Sequence, residues 1–335
     1  MRSRLFLSHL FAAGGLSLLI VGAFLAGPVF AEPVGVTREA VVEVLNVLKL
    51  PVTLRTSEAG TPAIDTTIGD VATTLQLGDC SGEPAVCKDV AFIATFDETE
   101  VPDIAGAVAR NGTWSFAKTF IDPDAGVPGA EMALTLVSGD LQLRLSAAVD
   151  LWRSLTTGLV EGFPAEPQES VLSDTVLTSA MMTSPAMVGA LFAPKEDVPE
   201  RQKLWSVRSE TLVEMLKKLG YEVSPANDDG SMLWVEVAGL RGLLSPRFCN
   251  EKFKHCGLLS IVHVREARGD ETNEALNEFN VTEWFVRAFF AEDGRLIFSF
   301  DAPVFEGMSL ADLDRYLSVW QGTVVGFEDF MDERE

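Results

Sequence analysis

Trp284-Phe285-Val286-Arg287-Ala288-Phe289-Phe290, followed by Glu292-Asp293-Gly294, repeats a pattern met once before in the chain. Upstream, Trp114 leads into Ser115-Phe116-Ala117-Lys118-Thr119-Phe120 and then Asp122-Pro123-Asp124. In both places an apolar, aromatic-rich run meets a turn of acidic residues with Gly or Pro, which predicts a β-hairpin. A tryptophan-led hairpin that occurs twice makes internal duplication the first thing to test.

Working outward, three further landmarks recur at nearly the same separation. Val41, Val44, Leu45 and Leu48 form one apolar helical face, and Leu212, Met215, Leu216 and Leu219 repeat that spacing 171 residues later. The first helix should stop before Pro51, and the second at Gly220 with Lys217 and Lys218 in its last turn. Cys80 and Cys87 recur as Cys249 and Cys256, offset by 169, each pair ahead of a strand-like run (Val90–Phe96 and Leu258–Val264). Leu145, Val149, Trp152, Leu159 and Phe163 map at offset 168 onto a terminal helix carrying Leu313, Leu317, Trp320, Phe327 and Met331. Ser309 and Asp312 resemble a capping box at its start.

Each copy thus reads as helix, strands, Cys loop and strand, short helix, hairpin, long helix. Strands grouped between helices indicate an α+β class: two tandem domains, each an antiparallel sheet packed with helices, over 37–163 and 207–331. Between them, 164–206 is a Pro- and Met-containing linker. Its middle is apolar, with Met181, Met182 and Met187 close together. Two readings stand: a linker whose short helix covers one domain's core, or a segment (176–192) that fills an apolar groove and is displaced by a partner.

At the N-terminus, Arg2 and Arg4 precede an apolar run from Leu5 to Ala26, ended by Pro28 and Val29-Phe30-Ala31. This is the pattern of a secretory signal over 1–31, which places the mature protein in the periplasm or outside the cell. The run is also long enough to span a bilayer, so an uncleaved anchor is the alternative. The 335 residues carry 26 Lys and Arg against 49 Asp and Glu, a formal charge of −23. That balance argues against nucleic acid and anionic membrane surfaces as partners, and no membrane insertion is expected beyond the signal.

In an exported chain, cysteines at matched spacing read as disulfides, here Cys80–Cys87 and Cys249–Cys256. Zinc held by Cys249, His255, Cys256 and His263 is the alternative, but the first copy has no histidine and the spacing fits no common zinc module. No Gly-x-Ser-x-Gly, His-Glu-x-x-His or phosphate-cradling loop is present. Asp122-Pro123-Asp124-Ala125-Gly126 hints at a calcium loop but aligns with an ordinary turn in the other copy. No cofactor, metal or catalytic residue is therefore assigned. Arg241, Arg247, Lys252 and Lys254 form a basic island on an acidic background, either a solvated loop or a docking point for an acidic partner.

Leu276-Asn277-Glu278-Phe279-Asn280, the Trp284–Phe290 run with Arg287, Asp293-Gly294 and the helix bearing Trp320 and Phe327 together resemble the YbjN domain family, bacterial proteins described as sensory transduction regulators. The resemblance spans the second copy. The first keeps Asn111, Trp114 and its Cys pair but has Lys118 in place of Arg287. The resemblance implies a fold like that of type III secretion chaperones, small α+β domains that bind protein segments and often dimerise, so two copies on one chain would imitate such a dimer. Asn277, Asn280 and Arg287 then have two readings: helix capping and ion pairing within the fold, or partner binding. The expected function is an exported, non-enzymatic protein- or peptide-binding protein, a sensory or chaperone-like adaptor whose protein or peptide partner is unknown. The alternative is a small-molecule or ion sensor with a pocket between the domains.

Overall fold

The computed structural model describes residues 35–56, 60–96, 103–112, 114–137, 139–161, 210–228, 230–249, 256–304 and 308–334. The expected signal (1–31) and linker (164–206) lie outside these residues, as do Lys252, Lys254 and His255.

The first half runs β1 (Val36–Thr37), α1 (Arg38–Val47), β2 (Thr53–Thr56), β3 (Pro62–Ile68), β4 (Val71–Ser81), β5 (Val86–Thr95), α2 (Ile104–Arg110), β6 (Lys118–Ile121), β7 (Pro128–Thr135) and α3 (Leu141–Glu161). The second runs α4 (Glu210–Lys218), β8 (Glu222–Pro225), β9 (Leu233–Val237), β10 (Leu240–Cys249), β11 (Cys256–Arg265), α5 (Asn273–Thr282), β12 (Val286–Phe290), β13 (Leu296–Pro303) and α6 (Leu310–Asp332). The sheets are ordered β2-β3-β4-β5-β7-β6 and β8-β9-β10-β11-β13-β12, every one of these neighbouring pairs antiparallel. The two orders are the same order. The first sheet adds only β1, a two-residue strand on β5. The α+β expectation holds, and the landmarks of the repeat fall on matching elements.

Local chemistry explains the matched boundaries. α1 starts at the Thr37 cap and ends with Lys49 in a left-handed conformation (φ 59°), while Leu50 N–H closes back on the Leu45 carbonyl. In α4 the same ending is made by Gly220 (φ 86°), with Tyr221 N–H returning to the Leu216 carbonyl. Glycine is the ordinary residue for this turn, so the first copy pays a small strain for its lysine. The Ser309–Asp312 capping box forms as expected.

Trp152 and Trp320 are wholly buried on their own sheets. Trp152 donates its indole N–H to the Thr73 hydroxyl at 3.0 Å, whereas Trp320 lies against Gly242, where a Cβ would stand 2.6 Å from the ring. Each half thereby builds an apolar core between one sheet face and its long helix.

Two expectations need adjustment. The cysteines do not sit in a loop ahead of a strand: Cys80 ends β4 and Cys87 begins β5, directly opposite each other and joined by a disulfide. Cys249 and Cys256 stand opposite in the same register on β10 and β11, and Cys256 is also disulfide-bonded. A disulfided Cys256 supplies no thiolate for zinc. The hairpin strands also start later than the tryptophans, because Phe116 and Phe285 both take left-handed backbone (φ 70°), outside the extended region.

Candidate functional site

The two halves meet along the outer strands of their hairpins, β6 and β12, with α2 and α5 packed against each other and each against the other half's outer strand. An edge strand presents a row of unpaired N–H and C=O groups that must be satisfied once buried. Asparagine side chains do this here. Asn111 accepts from Thr119 N–H (2.7 Å) and donates to its carbonyl (3.0 Å). Asn280 does the same for Ala288, at 2.8 and 2.9 Å. Asn277 crosses between halves, accepting from Ile121 N–H and donating to its carbonyl, both at 2.8 Å. The primary amide imitates a missing neighbouring strand.

Charges line the middle of the junction. Lys118 pairs with Glu131 at 3.0 Å, both under 5% exposed, and its ammonium also donates to the backbone carbonyl of Glu283 in the other half. Burial pushes Lys118 down and Glu131 up, each toward its neutral form, with the partner charge opposing. Arg287 pairs with Asp301 at 2.6 Å, and Asp301 accepts in turn from Phe116 N–H (2.9 Å) and from the Ser260 hydroxyl (2.8 Å). The space these groups enclose is about 10 Å³, far too small for a ligand.

A second, open feature lies at the same junction: a groove of about 580 Å³. One wall is β4 from Gln76 to Cys80. The other is the turn from Thr282 to Phe285 with Arg315, Val319 and Thr323 of α6. Trp284 packs so closely on the Gly78 backbone that a Cβ there would stand 2.3 Å from its ring. Arg315 ties the walls together, pairing with Asp79 at 2.8 Å and with Asp89, whose carboxyl burial raises despite that partner. Asp79 is also held by Lys88 at 3.1 Å. Glu283 stands exposed at the rim. The lining mixes aromatic, aliphatic and hydrogen-bonding groups at a volume usual for ligand sites. Its charged side chains are tied to one another, as Arg315 is to Asp79, or stand exposed, as Glu283 does.

Arg287 makes the expected ion pair within the fold, whereas Asn277 and Asn280, also buried, lie inside α5 and bond the backbone of Ile121 and Ala288 instead of capping their helix as expected. The basic island is not gathered among the described residues. Arg241 is exposed and lies over Trp234 at 4.3 Å, with its carbonyl accepting from His263 Nδ1. Arg247 is half-buried, and desolvation lowers its pKa against the pull of Asp301. Asp122 is engaged within its own turn, accepting from Asp124 and Ala125 N–H, as a hairpin turn requires. Asp79, Asp89, Arg144, Asp312 and Arg315 were not singled out by sequence. The one signal they leave is that Arg144 and Asp312, opposite in charge, both precede the buried tryptophan of their helix by eight residues.

Residues 208–333 match the model of the YbjN family, described as "Putative bacterial sensory transduction regulator", so the second half is a YbjN-family domain. Among solved structures, the crystal structure of YbjN, "a putative transcription regulator from E. coli", is similar at 13% identity, covering 37% of this chain and 90% of that one with a TM-score of 0.29. A search of curated proteins finds no match.

Proposed function

We propose that this chain is an exported, non-enzymatic regulator that works by binding a segment of another protein in the groove between its halves. The observation that carries the reading is the groove itself. Trp284 from one half roofs the Gly78 backbone of the other, and Arg315 bridges the walls, so an occupant touches both halves at once. A regulator needs such a place, where binding is felt by two packed units. Export rests on the Arg2–Ala31 pattern, and the sensory role on the family of the second half.

The test is crosslinking of the full chain in its native compartment, followed by mass spectrometry. Thr282→Arg and Thr323→Arg place bulk at the groove mouth without entering either core. A partner crosslinked to the wild type and lost from both variants supports the reading; a partner retained by both removes it. A second reading, a small-molecule sensor, uses the same groove, whose volume fits one. A thermal shift with a metabolite panel that both variants abolish, without any protein partner, identifies that case.

A further inference from the structure

We infer that the junction between the halves is a one-sided dimer interface: each half is shaped to take the other and to refuse a copy of itself. The repeat makes this testable, because the junction residues on matched elements have equivalents, and pairing two like halves would bring known residues face to face.

Three contacts break the symmetry. Arg144 and Asp312 occupy equivalent places on α3 and α6, eight residues before Trp152 and Trp320, and they pair with each other at 2.9 Å, both buried. Two first halves would set arginine against arginine there, and two second halves aspartate against aspartate. Next, Asp89 and Leu258 hold the same place in the two sheets, opposite the last residue of the inner hairpin strand (Thr135 and Pro303). Asp89 meets Arg315, whereas Leu258 joins the apolar cluster of the first half, against which Ala147, the equivalent of Arg315, is packed. Two first halves would leave Asp89 buried opposite Ala147, with no cation. Finally, Asn277 satisfies Ile121, while its equivalent Val108 joins the apolar core of the second half. Two first halves would put Val108 where the Ile121 edge needs an amide.

Each like pairing buries an unpaired charge or leaves the Ile121 edge without its amide, whereas the observed pairing matches Arg144 with Asp312, Asp89 with Arg315 and Ile121 with Asn277. The chain thus carries its own partner, and this surface is closed to a second copy.

The test uses the full chain with a protease site inserted in 164–206 and cut after folding. Native mass spectrometry at low micromolar concentration should find one copy of each fragment together. Arg144→Asp should speed fragment dissociation on the order of 100-fold, and adding Asp312→Arg should recover most of that loss. Because Asp312 also caps α6, an independent variant is needed: Arg315→Ala with Asp89→Leu copies the Ala147–Leu258 contact onto the other side and should lower the ratio of unlike to like pairs at least tenfold. Fragments that regroup as like pairs in the parent protein, a charge swap no better than Arg144→Asp alone, or an unchanged pairing ratio in the Arg315/Asp89 variant would each overturn the inference.

Discussion

Asn111 and Asn280 perform one task in two places: each amide brackets the backbone of one residue on the neighbouring edge strand, Thr119 and Ala288 respectively, taking its N–H and giving to its carbonyl. Both asparagines are fully buried. The equivalence shows that the duplicated module keeps its polar framework where its surface has diverged, and that the Asn of the second-half motif serves the fold before it serves any partner.

Removing the bracket is therefore a stability experiment. Asn280→Ala leaves the Ala288 N–H and carbonyl buried without partners, and we expect a loss of about 2–4 kcal/mol in unfolding free energy, read from urea titration. Asn111→Ala should do the same through Thr119. A loss below about 0.5 kcal/mol in both would show that these groups find other partners.

The Lys118–Glu131 pair should behave as a burdened buried pair. Burial drives both residues toward neutrality. Lys118→Met alone strands Glu131 and should destabilise by about 3–5 kcal/mol, whereas Lys118→Met with Glu131→Leu should fall between neutral and modestly stabilising. Thermal denaturation of the two variants side by side distinguishes this from a pair that contributes net stability, in which case the double variant would be the worse.

Acid sensitivity should trace in part to Glu271. Burial works against its carboxylate, but hydrogen bonds from Arg265 and from the N–H groups of Arg268 (2.7 Å) and Gly269 (3.1 Å) outweigh this and hold its pKa below the usual glutamate value. The folded pKa lies below the unfolded one, so its contribution is complete above the unfolded value and fades as pH falls through the folded one. We expect Glu271→Gln to lower stability at pH 7 and to flatten the decline below about pH 4. Parallel acid limbs in the two proteins would contradict this.

Gly78 should prove intolerant of a side chain for a reason outside its own strand. A Cβ there meets Trp284 at 2.3 Å. Gly78→Ala should cost about 1–3 kcal/mol by overpacking and shift the tryptophan fluorescence, and Trp284→Leu in the same chain should relieve part of the cost. No recovery would mean that the ring yields freely.

How far the sequence could be read depends on which contacts repeat locally. The Trp114 and Trp284 hairpins, the α1 and α4 faces and the Ser309–Asp312 cap were legible, because periodicity and caps report an element's own surroundings. The left-handed Phe116 and Phe285 were not, since nothing in an aromatic residue announces positive φ. Arg247 read as part of an exposed island, yet it stands where Gly78 stands in the other sheet and is half-buried. The pairing of Arg144 with Asp312 was hidden for a geometric reason. It exists only once two copies face each other, and no pattern within one copy encodes which residues meet across that junction.

The most direct test of the groove as the working site is position-specific photo-crosslinking in the native compartment. A photoreactive side chain at Thr323, on the groove wall, is compared with one at Leu54, exposed on β2 away from the groove lining. We expect one dominant adduct from position 323 and none from 54; adducts from 54 with none from 323 would contradict the account.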